Sequence, residues 1–498
     1  MSTGTQGSKS QRSGSSHGSR SEGVGSVLYA FAMAVNDVRG DDRERSGPAT
    51  VPRRAILGGL ALGGLALVGC TDSGVPVSEA QGPPLDGLGT QLSGSILDVR
   101  RFAAESTLDL PDDASGDASK TIQAAIDQAP ISPLTLDYSG TFTIQLPSTR
   151  ADGTPARYRI DNTLIVDGRR QIALVTDAPI GAALVNNTNT PWIIQHYQGS
   201  MSKVIVIDGL VFHGGGHRIL GSNRGTIIHR NCKFFGTSGY AISYEDVSTE
   251  QGGFGVVYPK IYDCEFWMCA GAVRYASATA VFAHMSSCNI LYSFDYPIRV
   301  EAPLSGGNFT AQDVELERCN FESVSRDHDV KAFVWINELP AGESPSRIRL
   351  IRCRFGAEGR FDGIAAGGLT INADKPMHDV MVGDPNNTFS DGNEQLAIEV
   401  EFQSCEFLGK GDHASFPRSD NAGRSAVGFY AKPFGVAFTG YTVFRDYHRA
   451  LIEEPWTAPD LAPGPNAVRN WVGPYSNANS GSTTLFEDGK GSTWKVAL

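Results

Sequence analysis

The chain has 498 residues, 57 of them glycine, with 19% charged side chains and a formal net charge of −12. No basic excess is present to neutralise phosphates, which argues against nucleic acid as the main partner. Eight cysteines occur but none in a C-x-x-C pair, so zinc-ribbon and thioredoxin-type chemistry is excluded.

Residues 1–52 form a leader. Its first 24 residues are rich in Gly and Ser and read as disordered, and residues 25–50 carry no core pattern. Met33 is an alternative start within it. A sharp segment follows at 53–70. Arg53-Arg54 precedes an uncharged apolar run from Ala55 to Gly69, which ends in Leu67-Val-Gly-Cys70. A basic start, a short apolar stretch and small residues before a cut are the parts of an export signal, and the run is short for a membrane span. Leu-Val-Gly-Cys resembles the bacterial lipobox, which implies lipidation at Cys70. Arg53-Arg54 resembles a twin-arginine signal. Residues 71–94 are rich in Gly, Pro and Ser and read as a flexible tether.

The domain, expected over 95–455, opens with a strand in Ser95–Ala104 and an acidic loop through Asp112, Asp113 and Asp117. The run from Lys120 to Ala129 places Ile122, Ala125 and Ile126 on one helical face. Beyond it a phrase repeats: Cys232-Lys-Phe234, Cys264-Glu-Phe266, Cys288-Asn-Ile290, Cys319-Asn-Phe321, Cys353-Arg-Phe355 and Cys405-Glu-Phe407. Leu210-Val-Phe212 is a degenerate first copy, and successive copies lie 22, 32, 24, 31, 34 and 52 residues apart. Apolar residues at i and i+2 have strand periodicity, and fixed wording at such spacing means one unit stacked many times. The expected fold is therefore all-β, a right-handed parallel β-helix with an N-terminal capping helix. The Cys and Phe columns would form internal ladders of free, buried side chains. Residues 456–498 are expected to cap the open end.

The order strand, acidic loop, helix, with the Phe102-Ala and Ile122-Gln-Ala-Ala-Ile126 words, is similar to the N-terminal cap of the pectate-lyase-like β-helix superfamily. With the ladder, that resemblance covers roughly residues 95–455. It implies the fold and leaves the chemistry open, because the superfold hosts lyases, hydrolases, epimerases and adhesins. The polygalacturonase phrases and the pectate lyase R-x-x-P-x-x-R pattern are absent.

Candidate site residues come from the strand that follows each phrase. Aligning Ile242, Val273, Ile298 and Val334 as inward turns Ser243, Arg274, Arg299 and Trp335 outward, with Glu245, Ala276, Glu301 and Asn337 two positions on. Arg274, Arg299, Trp335 and Asn337 would bind a sugar chain. Glu245 and Glu301, two turns or about 9.6 Å apart, would be a catalytic pair close to the inverting range of roughly 6.5–9.5 Å. Glu245 has no arginine on its own strand, so it is assigned as acid and Glu301 as base. Asp295 is a turn residue or lines the groove. His213-Gly-Gly-Gly-His217-Arg218 looks metal-like but lacks a third ligand, so no metal and no cofactor is expected.

The expected function is that of a lipid-anchored envelope protein with a polysaccharide partner, as a glycoside hydrolase or polysaccharide lyase. The alternative is a glycan-binding or scaffold protein without catalysis. If Cys70 carries the anchor, Cys70→Ser moves the protein from the membrane fraction to the soluble fraction. A wild-type chain that is soluble in the cytoplasm without lipid would end this reading.

Overall fold

The computed structural model describes residues 96–496 apart from a number of the loops between strands. Residues 1–95, and with them Arg53, Arg54, Cys70 and the tether, lie outside the described residues. Among the described residues, no helix is long and apolar enough to cross a membrane.

The chain is a parallel β-helix. Three long parallel sheets, of 13, 12 and 11 strands, run the length of the solenoid, and a full turn contributes one strand to each; two antiparallel hairpin strands join the second from the side. In one turn these are Ile227–Arg230, Lys233–Phe235 and Tyr240–Glu245. The same three recur one turn on as Pro259–Tyr262, Glu265–Cys269 and Gly271–Ala276. Short strands with apolar residues on one face cannot bury that face alone, so each depends on the turns above and below.

The repeated phrase sits on the second sheet. Phe212 pairs with Phe234, Phe234 with Phe266, Phe266 with Ile290, Ile290 with Phe321, Phe321 with Phe355 and Phe355 with Phe407. The Phe234 and Phe266 rings stack at 5.2 Å, and Phe355 and Phe407 at 5.1 Å. Each such pair contributes about 0.5–1.5 kcal/mol beyond the burial of its area. The seven described cysteines are free and buried. The ladder thiols donate to backbone carbonyls, as Cys353 does to Leu316 at 3.2 Å and Cys405 to Leu350 at 3.1 Å. Burial pushes the Cys232 and Cys264 thiols well above their ordinary value, and that of Cys269 up to about 11, so they are poor nucleophiles.

A single residue turns the chain from the first sheet to the second. It stands just before each cysteine and adopts the left-handed conformation: Asn231 (φ 53°), Asp263 (52°), Ser287 (56°), Arg318 (52°), Arg352 (53°) and Ser404 (53°). Gly209 (74°) does the same before Leu210. This conformation costs an L side chain about 1–2 kcal/mol, least for Asn and Asp.

Three differences from the sequence reading have local causes. The strand expected at 95–104 is only Ile96–Asp98. The Asp98 carboxylate accepts from the backbone N–H of Arg100 and Arg101, which caps a helix, α1 (Val99–Ser106). The second helix, α2 (Ser119–Asp127), buries Ile122, Ala125 and Ile126 as its spacing predicts. The 52-residue gap between the last two phrases holds an antiparallel hairpin of Phe361–Ala366 and Leu369–Asp374, which pairs sideways onto Asn320–Ser325. Beyond Pro455 the stack continues. Asn470–Val472, Tyr475–Ala478, Thr484–Glu487 and Trp494–Val496 each pair onto one of the three sheets, so the expected cap supplies further strands.

Three histidines stand inside the solenoid. His196 and His217 come from the third sheet and His229 from the first, all fully buried. His217 Nδ1 and His229 Nε2 share a hydrogen bond of 2.8 Å, while both ring nitrogens of His196 lack a partner. Burial pushes His196 down to about 4, His229 to about 3, and His217 well below its ordinary 6.5. A base whose pKa falls on folding binds more protons when unfolded. Stability is therefore full above pH 6.5 and is lost as pH falls toward 4. His196→Leu removes one such group together with two unpartnered nitrogens. It should stabilise the fold at pH 5 by about 1–3 kcal/mol and shift acid unfolding, followed by far-UV circular dichroism, to lower pH. An acid transition that superimposes on that of the wild type would sink this account.

Candidate functional site

The outer face of the third sheet carries one continuous polar column. In register along it stand Gln195, Arg218, Ser243, Arg274, Arg299 and Trp335. Their strand neighbours Ile242, Val273, Ile298 and Val334 are buried in the core, so alternation aims the column outward. The structure thus brings Arg274, Arg299 and Trp335 into line, with Glu245 and Glu301 beside them. Asn337 lies outside the described residues.

Glu245 is 2% exposed and Glu301 7%, and all four carboxylate oxygens are engaged. Glu245 Oε2 accepts from Arg218 Nε at 2.9 Å and Nη2 at 2.6 Å, and Oε1 accepts from the Ser243 hydroxyl at 2.7 Å. Arg274 bridges the two acids. Its Nη1 lies 3.8 Å from Glu245 Oε1, while Nε and Nη2 both reach Glu301 Oε1. Glu301 Oε2 is 2.5 Å from Arg299 Nε. Arg299 Nη1 lies 3.7 Å from Asp295, whose carboxylate also accepts from the Tyr240 hydroxyl at 3.2 Å. Burial raises that hydroxyl well above its ordinary pKa. Asp295, read as a turn residue or groove liner, is thus the last acid of the network.

A tryptophan stands at each end. The Arg218 guanidinium lies 5.8 Å from the centre of the Trp192 ring, and that of Arg299 lies 4.6 Å above Trp335. Trp335 is 8% exposed, packs on Tyr296 at 4.4 Å, and donates its Nε1–H to the Gly383 carbonyl at 2.9 Å. It is a wall of the site, since Arg299 and Tyr296 cover it, and not the open stacking platform expected for a sugar ring.

The geometry also removes the ground for dividing the acids. Glu245 has no arginine on its own strand, but Arg218 on the preceding turn donates two hydrogen bonds to it, while Arg299 makes an ion contact to Glu301. Neither carboxyl group has an oxygen free to hand a proton to a substrate.

Sequence reasoning passed over Trp192, and read Arg218 only as the end of the His213–Arg218 phrase. Arg218 stands one turn before Ser243 in the same register, on the turn that carries only the degenerate Leu210-Val-Phe212 phrase, so the repeat gave no alignment for it. The metal-like phrase is split by the fold. His213 stacks on Phe235 at 5.3 Å outside the second sheet, whereas His217 lies in the core. His213, Phe235, Trp267 and Tyr292 stand in successive register on that face. The first three rings pack on one another in sequence, so this row serves packing along the axis.

No family model and no curated protein matches the chain. Solved β-helix structures are similar to it at low identity. The surface protein and adhesin PfbA of Streptococcus pneumoniae shares 11% identity over 80% of this chain and 100% of that one, with a TM-score of 0.43. The catalytic unit of a GH87 α-1,3-glucanase from Streptomyces thermodiastaticus shares 10%, over 84% and 71%, with a TM-score of 0.32. ORF18 of Geobacillus virus E2 shares 12% over 82% of this chain, which spans 62% of its length, with a TM-score of 0.32.

If Glu301 is the strut between Arg274 and Arg299, Glu301→Gln takes from two part-buried guanidiniums their nearest counter-ion and leaves only the longer contacts to Glu245 and Asp295. A loss of about 1–3 kcal/mol in urea unfolding is expected, partly restored in the Glu301→Gln/Arg274→Gln double variant. Equal stability of Glu301→Gln and wild type would show that the network holds nothing.

Proposed function

We propose that this protein is an exported, lipid-anchored component of a bacterial envelope, related to the pectate-lyase-like superfamily. In this reading it binds an uncharged polysaccharide along the outer face of its third sheet. The observation that carries the binding reading is the charge balance of the column. Arg218, Arg274 and Arg299 are matched by Glu245, Glu301 and Asp295. A strip with no spare positive charge, on a chain of net charge −12, does not attract a polyuronate. Its fixed planar donors and acceptors suit the hydroxyl groups of neutral sugars, because pre-oriented groups lose little side-chain freedom on binding. For the same reason the lyase reading is the weaker one, since the guanidiniums that would neutralise a uronate carboxylate already hold carboxylates. The anchor rests on the Leu67–Cys70 and Arg53-Arg54 patterns.

The test is affinity electrophoresis of the purified chain through gels containing neutral glucans or polygalacturonate, with assays for reducing ends and for unsaturated products. Retardation by a neutral glucan, weakened about tenfold or more in Arg274→Met, supports binding. Retardation by polygalacturonate alone would overturn it. Release of reducing ends that Glu245→Gln abolishes would replace binding with hydrolysis.

A further inference from the structure

The first sheet carries a second cluster on its outer face, away from the polar column of the third. His284 belongs to His284–Ser286, and Glu315 and Glu317 to Val314–Glu317 on the next turn. His284 pairs in register with Glu315, and Ser286 with Glu317. Met285 and Leu316 between them are fully buried, so all four partners point outward.

His284 Nε2 lies 3.6 Å from Glu315 Oε1 and 3.6 Å from Glu317 Oε2, and the three atoms lie within 4.8 Å of one another. These separations are too long for hydrogen bonds, and Nε2 is shielded from solvent with no partner. Separations of 3.6 Å fall within the span of two bonds to one ion, each ~2.0–2.2 Å for zinc to imidazole nitrogen or carboxylate oxygen.

The second oxygen of each carboxylate is held from outside. Glu315 Oε2 pairs with Arg349 at 2.6 Å, and Glu317 Oε1 with Arg318 at 3.4 Å. The ring of Tyr262 stands edge-on to His284 at 5.6 Å. Ligands whose free ends are tied to neighbouring groups are oriented in advance, as the outer partners of metal sites are. Lys260, in register with His284 on the preceding turn, brings the one competing ammonium charge among these strands.

We propose that His284, Glu315 and Glu317 bind a divalent first-row transition-metal ion. One imidazole and two carboxylates suit zinc or manganese, and three ligands from one face leave positions open for water. The site is independent of the glycan reading, because it uses a different sheet.

The test is titration of the EDTA-treated full chain with zinc chloride and then manganese chloride, by isothermal calorimetry and by thermal shift. One site is expected in the wild type. His284→Ala and Glu317→Gln should each weaken it tenfold to a hundredfold and abolish the ion-dependent rise in Tm. Lys260→Met, which removes the competing charge, should tighten binding. Failure of the wild type to bind either ion, or equal affinity in wild type, His284→Ala and Glu317→Gln, would overturn the proposal. The three groups would then be a plain ion-pair cluster.

Discussion

Strands of successive turns hydrogen-bond in register, so outside a few bulges each strand position of one turn stands directly above its counterpart in the last. Side chains therefore meet their own kind about 4.8 Å along the axis. Columns, and not individual contacts, are the units of this structure. Phe on Phe is favourable, and so is a thiol column whose members each find a carbonyl. A change at one position is felt by two neighbours, which ties the core together without any crosslink.

The corner between the first and second sheets sets the phase of those columns. Its residue must take a positive φ so that the cysteine after it turns inward. Asn, Asp and Ser accept this conformation because short polar side chains tolerate it, whereas Arg318 and Arg352 adopt it at a cost. That cost is spread along a cooperative stack, where the paired strands on both sides over-determine the backbone.

The core was legible in the sequence because burial demands a residue type. Phe and Cys recur where volume and polarity are constrained, so the phrases and the α2 face could be read directly. The corners were not legible, since they demand a backbone angle that Asn, Ser and Arg all supply. The short α1 was hidden because its start depends on a single carboxylate at Asp98. Of the site, the outward alignment of Arg274, Arg299 and Trp335 could be derived from strand alternation alone. The engagement of Glu245 could not, because its partner Arg218 stands on a turn that carries only the degenerate Leu210-Val-Phe212 phrase.

The same stacking explains why the outer column is built from ion pairs. Arg274 and Arg299 are register partners, so the fold places two guanidinium stems one strand spacing apart. Two like charges about 5 Å apart repel by roughly 1 kcal/mol in water and by about 3 kcal/mol at the effective dielectric of a protein surface. A column that attracts itself when its members are Phe repels itself when they are Arg. Glu301 relieves this by reaching both cations, one through each oxygen, and Glu245 does the same between Arg218 and Arg274. The carboxylates are buried because they must lie between the arginines. Charge alternation along the axis is thus required by the repeat itself before any ligand is considered. What a ligand meets is the set of N–H groups and edges left over from that pairing, already fixed in direction.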